Sequence, residues 1–131
     1  MKIFSLVGLL VSVSIAGCAS RGDSTEVVTP SELLARAKDF NGDFVVVYGW
    51  MESGFERYRI WDDRSASDGR HYVDGCIALA IPVDMESDSF DATEVTIKGT
   101  FVATVDPNEL ISGGCRNRAT VYVQKIQSGP R

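Results

Sequence analysis

Three cysteines, one histidine and two clusters of carboxylates are the side chains of this 131-residue chain that could make bonds or hold a metal. His71 stands between Asp68 and Asp74, a spacing that allows a His–Asp pair. A catalytic unit also needs a nucleophile held by a recognisable turn, and none surrounds it, so His71 reads as a surface-loop histidine. Asp62, Asp63, Asp68 and Asp74 crowd one stretch and would suit calcium, which takes six to eight oxygen ligands. Counting back from Gly69, however, places Arg64 and Ala66 where a calcium loop needs acids, and Arg64 and Arg70 neutralise the patch. Glu86, Asp88 and Asp91 form a second acidic run that reads as a solvated loop. Zinc wants four ligands, or three and a water, and one histidine with widely spaced cysteines does not supply them. The expectation is no metal, no cofactor and no catalytic residue.

A different chemistry sits in the aromatic residues. Trp50, Tyr58, Trp61 and Tyr72 fall in one region with Arg57, Arg59, Arg64 and Arg70. Broad rings and arginine dominate binding surfaces, so Trp50, Tyr58, Arg59, Trp61 and Tyr72 are the candidate binding residues. Rings in a positive channel could also stack single-stranded bases. The net charge of −5 opposes that, because an acidic domain is repelled by phosphate backbones. Nucleic acid is therefore not expected as a partner; protein, peptide or glycan is.

The third cysteine belongs to the N-terminus. Met1-Lys2 is followed by the uncharged apolar run Ile3 to Ile15, shorter than the roughly 20 residues of a spanning helix. A charged start, a short apolar run and small residues before a cleavage point describe an export signal. Ile15-Ala16-Gly17-Cys18 resembles the lipobox of bacterial lipoprotein signal peptides. That resemblance implies cleavage after residue 17, acylation of Cys18 and membrane anchoring through it. Ala19 after the cysteine implies the outer membrane, facing the periplasm. Stable anchoring takes more than one acyl chain. With Cys18 assigned to lipid, Cys76 and Cys115 remain, and in an oxidising periplasm two leftover cysteines most often pair. The alternatives are two free buried thiols or part of a metal site. Arg116 and Arg118 would flank the bridge.

The elements that position these residues follow from periodicity. Residues 18–28 read as the lipidated cysteine and a polar tether, 29–127 as one domain and 128–131 as a tail. Thr29-Pro30-Ser31-Glu32 predicts a helix start, with a capping threonine, Pro at the first helical position and Glu three residues on. Leu33, Leu34, Ala37 and Phe40 mark its face, and Asn41-Gly42 its end. Strands are then predicted at Phe44–Met51, Phe55–Trp61, Cys76–Ile81, Thr93–Val105 and Ala119–Ile126, with polar loops at Asp62–Gly69 and Asp84–Asp91. Two strands share a pattern: Val45-x-Val47-x-Gly49 and Val95-x-Ile97-x-Gly99. Glycine inside a strand marks a bulge or sharp bend. One helix and five strands, the first of them bent, predict a mainly β fold, a small five-stranded OB-like barrel preceded by one short α-helix. Another small β-barrel or β-sandwich is the runner-up.

On Glu32-Leu33, Val45-x-Val47-x-Gly49-Trp50, Cys76-Ile77 and Val95-x-Ile97-x-Gly99-Thr100-Phe101, residues 29–126 resemble small bacterial lipoproteins and periplasmic proteins with OB-like domains. The function this implies is a lipid-anchored binding or accessory domain of the cell envelope without catalysis. The alternatives are a structural envelope lipoprotein with no discrete ligand, or an envelope enzyme.

Overall fold

The computed structural model describes residues 26–54, 57–69, 75–109 and 114–129. The chain enters through β1 (Val27–Val28), two residues that pair in parallel with Val46 and Val47 of β2 (Phe44–Gly54). Between them lie α1 (Pro30–Ala35) and α2 (Ala37–Phe40). The cap on α1 is the reciprocal one written in the sequence: Glu32 N–H donates to Thr29 Oγ1, and Thr29 N–H donates to Glu32 Oε2 at 2.9 Å. The apolar stripe from Leu33 to Phe40 belongs to two helices because Arg36 leaves helical geometry at φ −122° and ψ 36°.

β2 runs antiparallel to β3 (Arg57–Trp61), which is followed by α3 (Arg64–Asp68) and β4 (Ile77–Ala80). A 3-10 turn at Asp88–Phe90 leads into β5 (Thr93–Val102), and β6 (Thr120–Ser128) closes the order. The strands lie in the order β1-β2-β3-β4-β6-β5, with β2 also paired to β5. Two pairings are parallel, β1–β2 and β4–β6, and the rest are antiparallel, so the sheet is mixed.

This overturns the expected architecture. The sheet has six strands among the described residues, not the five of an OB-like barrel, and three short α-helices stand where one was expected. The causes are local. Val27 and Val28, read as tether, take up the edge of β2 beside Val46 and Val47, which β3 does not reach. Asp63 accepts the Ala66 N–H at 2.8 Å and so caps a helix in the segment read as a polar loop. The resemblance to lipoproteins with OB-like domains is corrected with it, and the OB-fold and β-barrel descriptions go with the sheet. The lipoprotein and membrane half of that resemblance finds no support: the apolar run and Cys18 lie in residues 1–25, outside the described residues. No described helix is long and apolar enough to cross a membrane.

The core follows from the period-two alternation of strands. Val45, Val47 and Met51 of β2 meet Ile60 of β3, Ile77 and Leu79 of β4, Val95, Ile97 and Phe101 of β5, and Val121 and Val123 of β6. Leu33 of α1 is fully buried against them. The two matching motifs face each other in the β2–β5 ladder, with Val45 opposite Gly99 and Gly49 opposite Val95. Each glycine is required by a close approach from the other side. A Cβ on Gly49 would collide with the Trp61 carbonyl of β3, and one on Gly99 with the Tyr122 carbonyl of β6. The β5–β6 register shifts between Lys98 and Gly99.

Candidate functional site

The β2–β3 ladder carries the candidate residues. Trp50 is the register partner of Trp61, Glu52 of Arg59, and Gly54 of Arg57. Directly opposed residues of an antiparallel pair share a face, so these six lie on one side. Met51, Ile60, Ser53 and Tyr58 lie on the other, where Tyr58 packs against the core.

The outer face divides into two parts. On the β3 side Trp61 is 1% exposed. Beside it at the end of the β3–β4 ladder stands Cys76, fully buried and bridged to Cys115, with Cα atoms 5.6 Å apart. The segment after the bridge is held to it by Asn117 Nδ2, which donates to the Cys76 carbonyl at 2.8 Å. The Arg59 guanidinium lies 5.2 Å from the centre of the Trp61 ring and donates through Nη2 and Nε to Glu52 Oε2 at 3.1 and 3.3 Å. That ion pair is shielded, its side chains 17% and 27% exposed. Gly114 abuts it: a Cβ there would meet Arg59 Nη1 at 3.4 Å, and the residue also holds φ at +69°. Arg59 is thereby fixed by a ring, a carboxylate and the chain beside the disulfide.

On the β2 side and toward the Gly54–Arg57 end the face opens into a groove of about 630 Å³. Its floor is Trp50 and the Glu52–Arg59 pair; α3 supplies Arg64 and Asp68 on one wall, and Asp91 and Ala92 form the other. Arg64 lies 5.9 Å from the Trp50 ring centre and 3.7 Å from Asp68. Asp91 accepts the Ser53 N–H at 2.7 Å, and Ala92, in the left-handed region at φ 54°, donates to the Met51 carbonyl at 2.8 Å. These bonds bolt the wall to β2. Tyr48, two residues before Trp50 on the same face, stands beside the Glu94 carboxylate, which holds its phenol above the usual tyrosine value. Tyr122 is raised in the same way by Glu109, at 2.7 Å.

Of the five residues expected to bind, the structure brings together two at the groove, Trp50 and Arg59. Trp61 is buried beneath Arg59, Tyr58 faces the core, and Tyr72 lies outside the described residues, as do His71, Asp74 and Arg70. The carboxylate clusters disperse into structural tasks. Asp62 accepts the Ser31 N–H at 2.8 Å and ties α1 to β3, while Asp63 caps α3 and Asp68 pairs with Arg64. Glu86 accepts from the Ser89 hydroxyl and N–H, which lowers its carboxyl below the usual range. No group of three or more metal-ligating side chains occurs among the described residues. Arg118 donates to the carbonyls of Val105 and Asp106 rather than to the bridge. The sequence reading missed Glu52, Asp68 and Asp91 as groove residues. A signal for Glu52 existed: alternation along the hairpin sets Trp50 and Glu52 on the same face as Arg57, Arg59 and Trp61.

No family model matches the chain, and no curated protein matches it. Among solved structures, a crystal structure of asparaginyl-tRNA synthetase from Pyrococcus horikoshii is similar at 18% identity and a TM-score of 0.44, over 80% of this chain and 23% of that one. A likeness of that size carries no argument about fold or function.

Proposed function

We propose that the chain is a binding or accessory domain without catalysis, which works in an oxidising compartment of the cell envelope and contacts a protein, peptide or glycan through the groove over the β2–β3 ladder. The observation that carries this reading is the groove itself. A half-buried tryptophan is ringed by arginines and carboxylates in a concave site, one wall of which is fixed to β2 by hydrogen bonds. Apolar surface with a few oriented polar groups is what ligand sites consist of. The Cys76–Cys115 disulfide supports the compartment, since such bonds persist where thiols are not kept reduced. Against catalysis stands the commitment of the groove carboxylates: Glu52 to Arg59, Asp68 to Arg64 and Asp91 to the Ser53 amide.

The test is photo-cross-linking in cells from a reactive residue placed at Ser67 on the groove wall. One saturable adduct is expected, strongly reduced when Trp50→Ala is combined with it. No adduct, or one indifferent to Trp50, overturns the reading and leaves a structural domain with no discrete ligand.

A further inference from the structure

Resting on that reading of the groove, the geometry points to its ligand class: we propose that the groove takes a neutral oligosaccharide, one hexopyranose ring lying on Trp50. Three observations converge. The first is charge. The domain is acidic, yet the groove carries three guanidinium groups, Arg57, Arg59 and Arg64, and three carboxylates, Glu52, Asp68 and Asp91. The local field favours neither a polyanion nor a polycation.

The second is donor and acceptor balance. A sugar hydroxyl both donates and accepts, so it needs carboxylate oxygens and N–H groups side by side. The Arg59–Glu52 and Arg64–Asp68 pairs set them side by side. Each carboxylate keeps lone pairs beyond its arginine, and each guanidinium has five N–H donors. Ser67 adds a hydroxyl at the wall.

The third is what the floor lacks. A peptide bound as an added strand takes main-chain groups from an open edge. Here the floor is the β2–β3 ladder seen face-on, its strands hydrogen-bonded to each other, and the Ser53 N–H is already given to Asp91. The large apolar side chain of the lining is the flat indole of Trp50, with Ala92 the other apolar residue. Once a sugar takes the place over the ring where the exposed Arg64 guanidinium lies, 5.9 Å from its centre, the indole is a platform for the C–H face of a pyranose rather than a set of pockets for successive side chains. Tyr48 and Glu94 extend the same face beyond Trp50.

The experiment uses the full chain labelled with nitrogen-15, whose two tryptophans give two indole N–H resonances. The probes are maltotetraose, the tetramer of β-1,4-linked N-acetylglucosamine and, as the contrast, a neutral alanine-rich peptide. A saccharide is expected to shift the Trp50 indole, leave that of Trp61 in place and receive saturation transfer at its ring protons. Trp50→Ala should weaken binding about tenfold, the factor that one lost ring contact of ordinary strength produces. Trp50→Phe, which keeps a ring, should recover part of it, and the amide spectrum of each variant reports that it folds. A peptide that shifts Trp50 where both sugars fail overturns the saccharide and leaves the groove standing as a binding site. If neither probe binds while the in-cell adduct at Ser67 still depends on Trp50, the saccharide is again overturned and the groove stands. If that adduct also fails, both fall.

Discussion

Trp50 and Trp61 are register partners on one face of one ladder, and the structure uses them in opposite ways. Trp61 is buried, with Arg59 over its ring, on the side of β3 away from the main core. Trp50 keeps part of its ring toward a groove, with Arg64 poised over it from α3. Two identical side chains in register therefore differ in what covers them: Arg59 of the same strand lies over Trp61, and Arg64 of α3 lies beside Trp50. A binding face can be built beside a buried one only if the boundary between them is rigid. Arg59 is that boundary, held by Trp61 on one side and Glu52 on the other.

The contrast can be broken by substitution. The largest effect is expected for Trp61→Ala, which empties a buried indole site and should cost up to about 5 kcal/mol in denaturant unfolding. Replacing Cys76 and Cys115 together by serine should cost about 4 kcal/mol, the chain-entropy value for a loop of this length. It should also raise the solvent reactivity of Trp61 without changing that of Trp50. Arg59→Met removes the guanidinium but keeps an unbranched chain over Trp61. It leaves Glu52 shielded without its partner, and about 1–2 kcal/mol should be lost in the same assay. Trp50→Ala should cost least, within about 0.5–1 kcal/mol for a half-exposed position away from the core, while weakening about tenfold what the groove binds. A Trp50→Ala protein as unstable as Trp61→Ala would erase the distinction.

Part of this was legible in the residues alone, and the division has physical reasons. Thr29 and Glu32 announced the α1 cap because a capping box needs only neighbours in sequence. Gly49 and Gly99 announced a bulge or bend, and the register does shift at Gly99, but the carbonyls that leave no room for a Cβ at either position come from other strands and were not legible. Val27 and Val28 did not announce a strand. Two β-branched residues set no period, and their pairing depends on the stretch of β2 that β3 leaves open. Arg36 gave no sign that it would divide the helix. Asp63 capped α3 in a stretch whose Asp and Ser residues read equally well as loop, because no apolar face marked the helix. The fold class failed for these reasons, since counts of strands and helices turn on short, weakly patterned segments. The binding residues were legible by type and not by face. Tyr58 and Trp61 are single steps from Arg59 and Ile60, and strand parity with remote cover decides which is groove, which is core and which is lid.

The central claim is that Trp50 is an accessible binding surface and Trp61 a sealed structural centre. Hydroxyl-radical footprinting of the full chain, alone and after addition of a cell-envelope extract, reads both indoles at once. The account predicts rapid oxidation of Trp50 in the free protein, protection of Trp50 by the extract, and slow oxidation of Trp61 in both. Equal oxidation of the two tryptophans, or a Trp50 that the extract leaves unprotected, would contradict it.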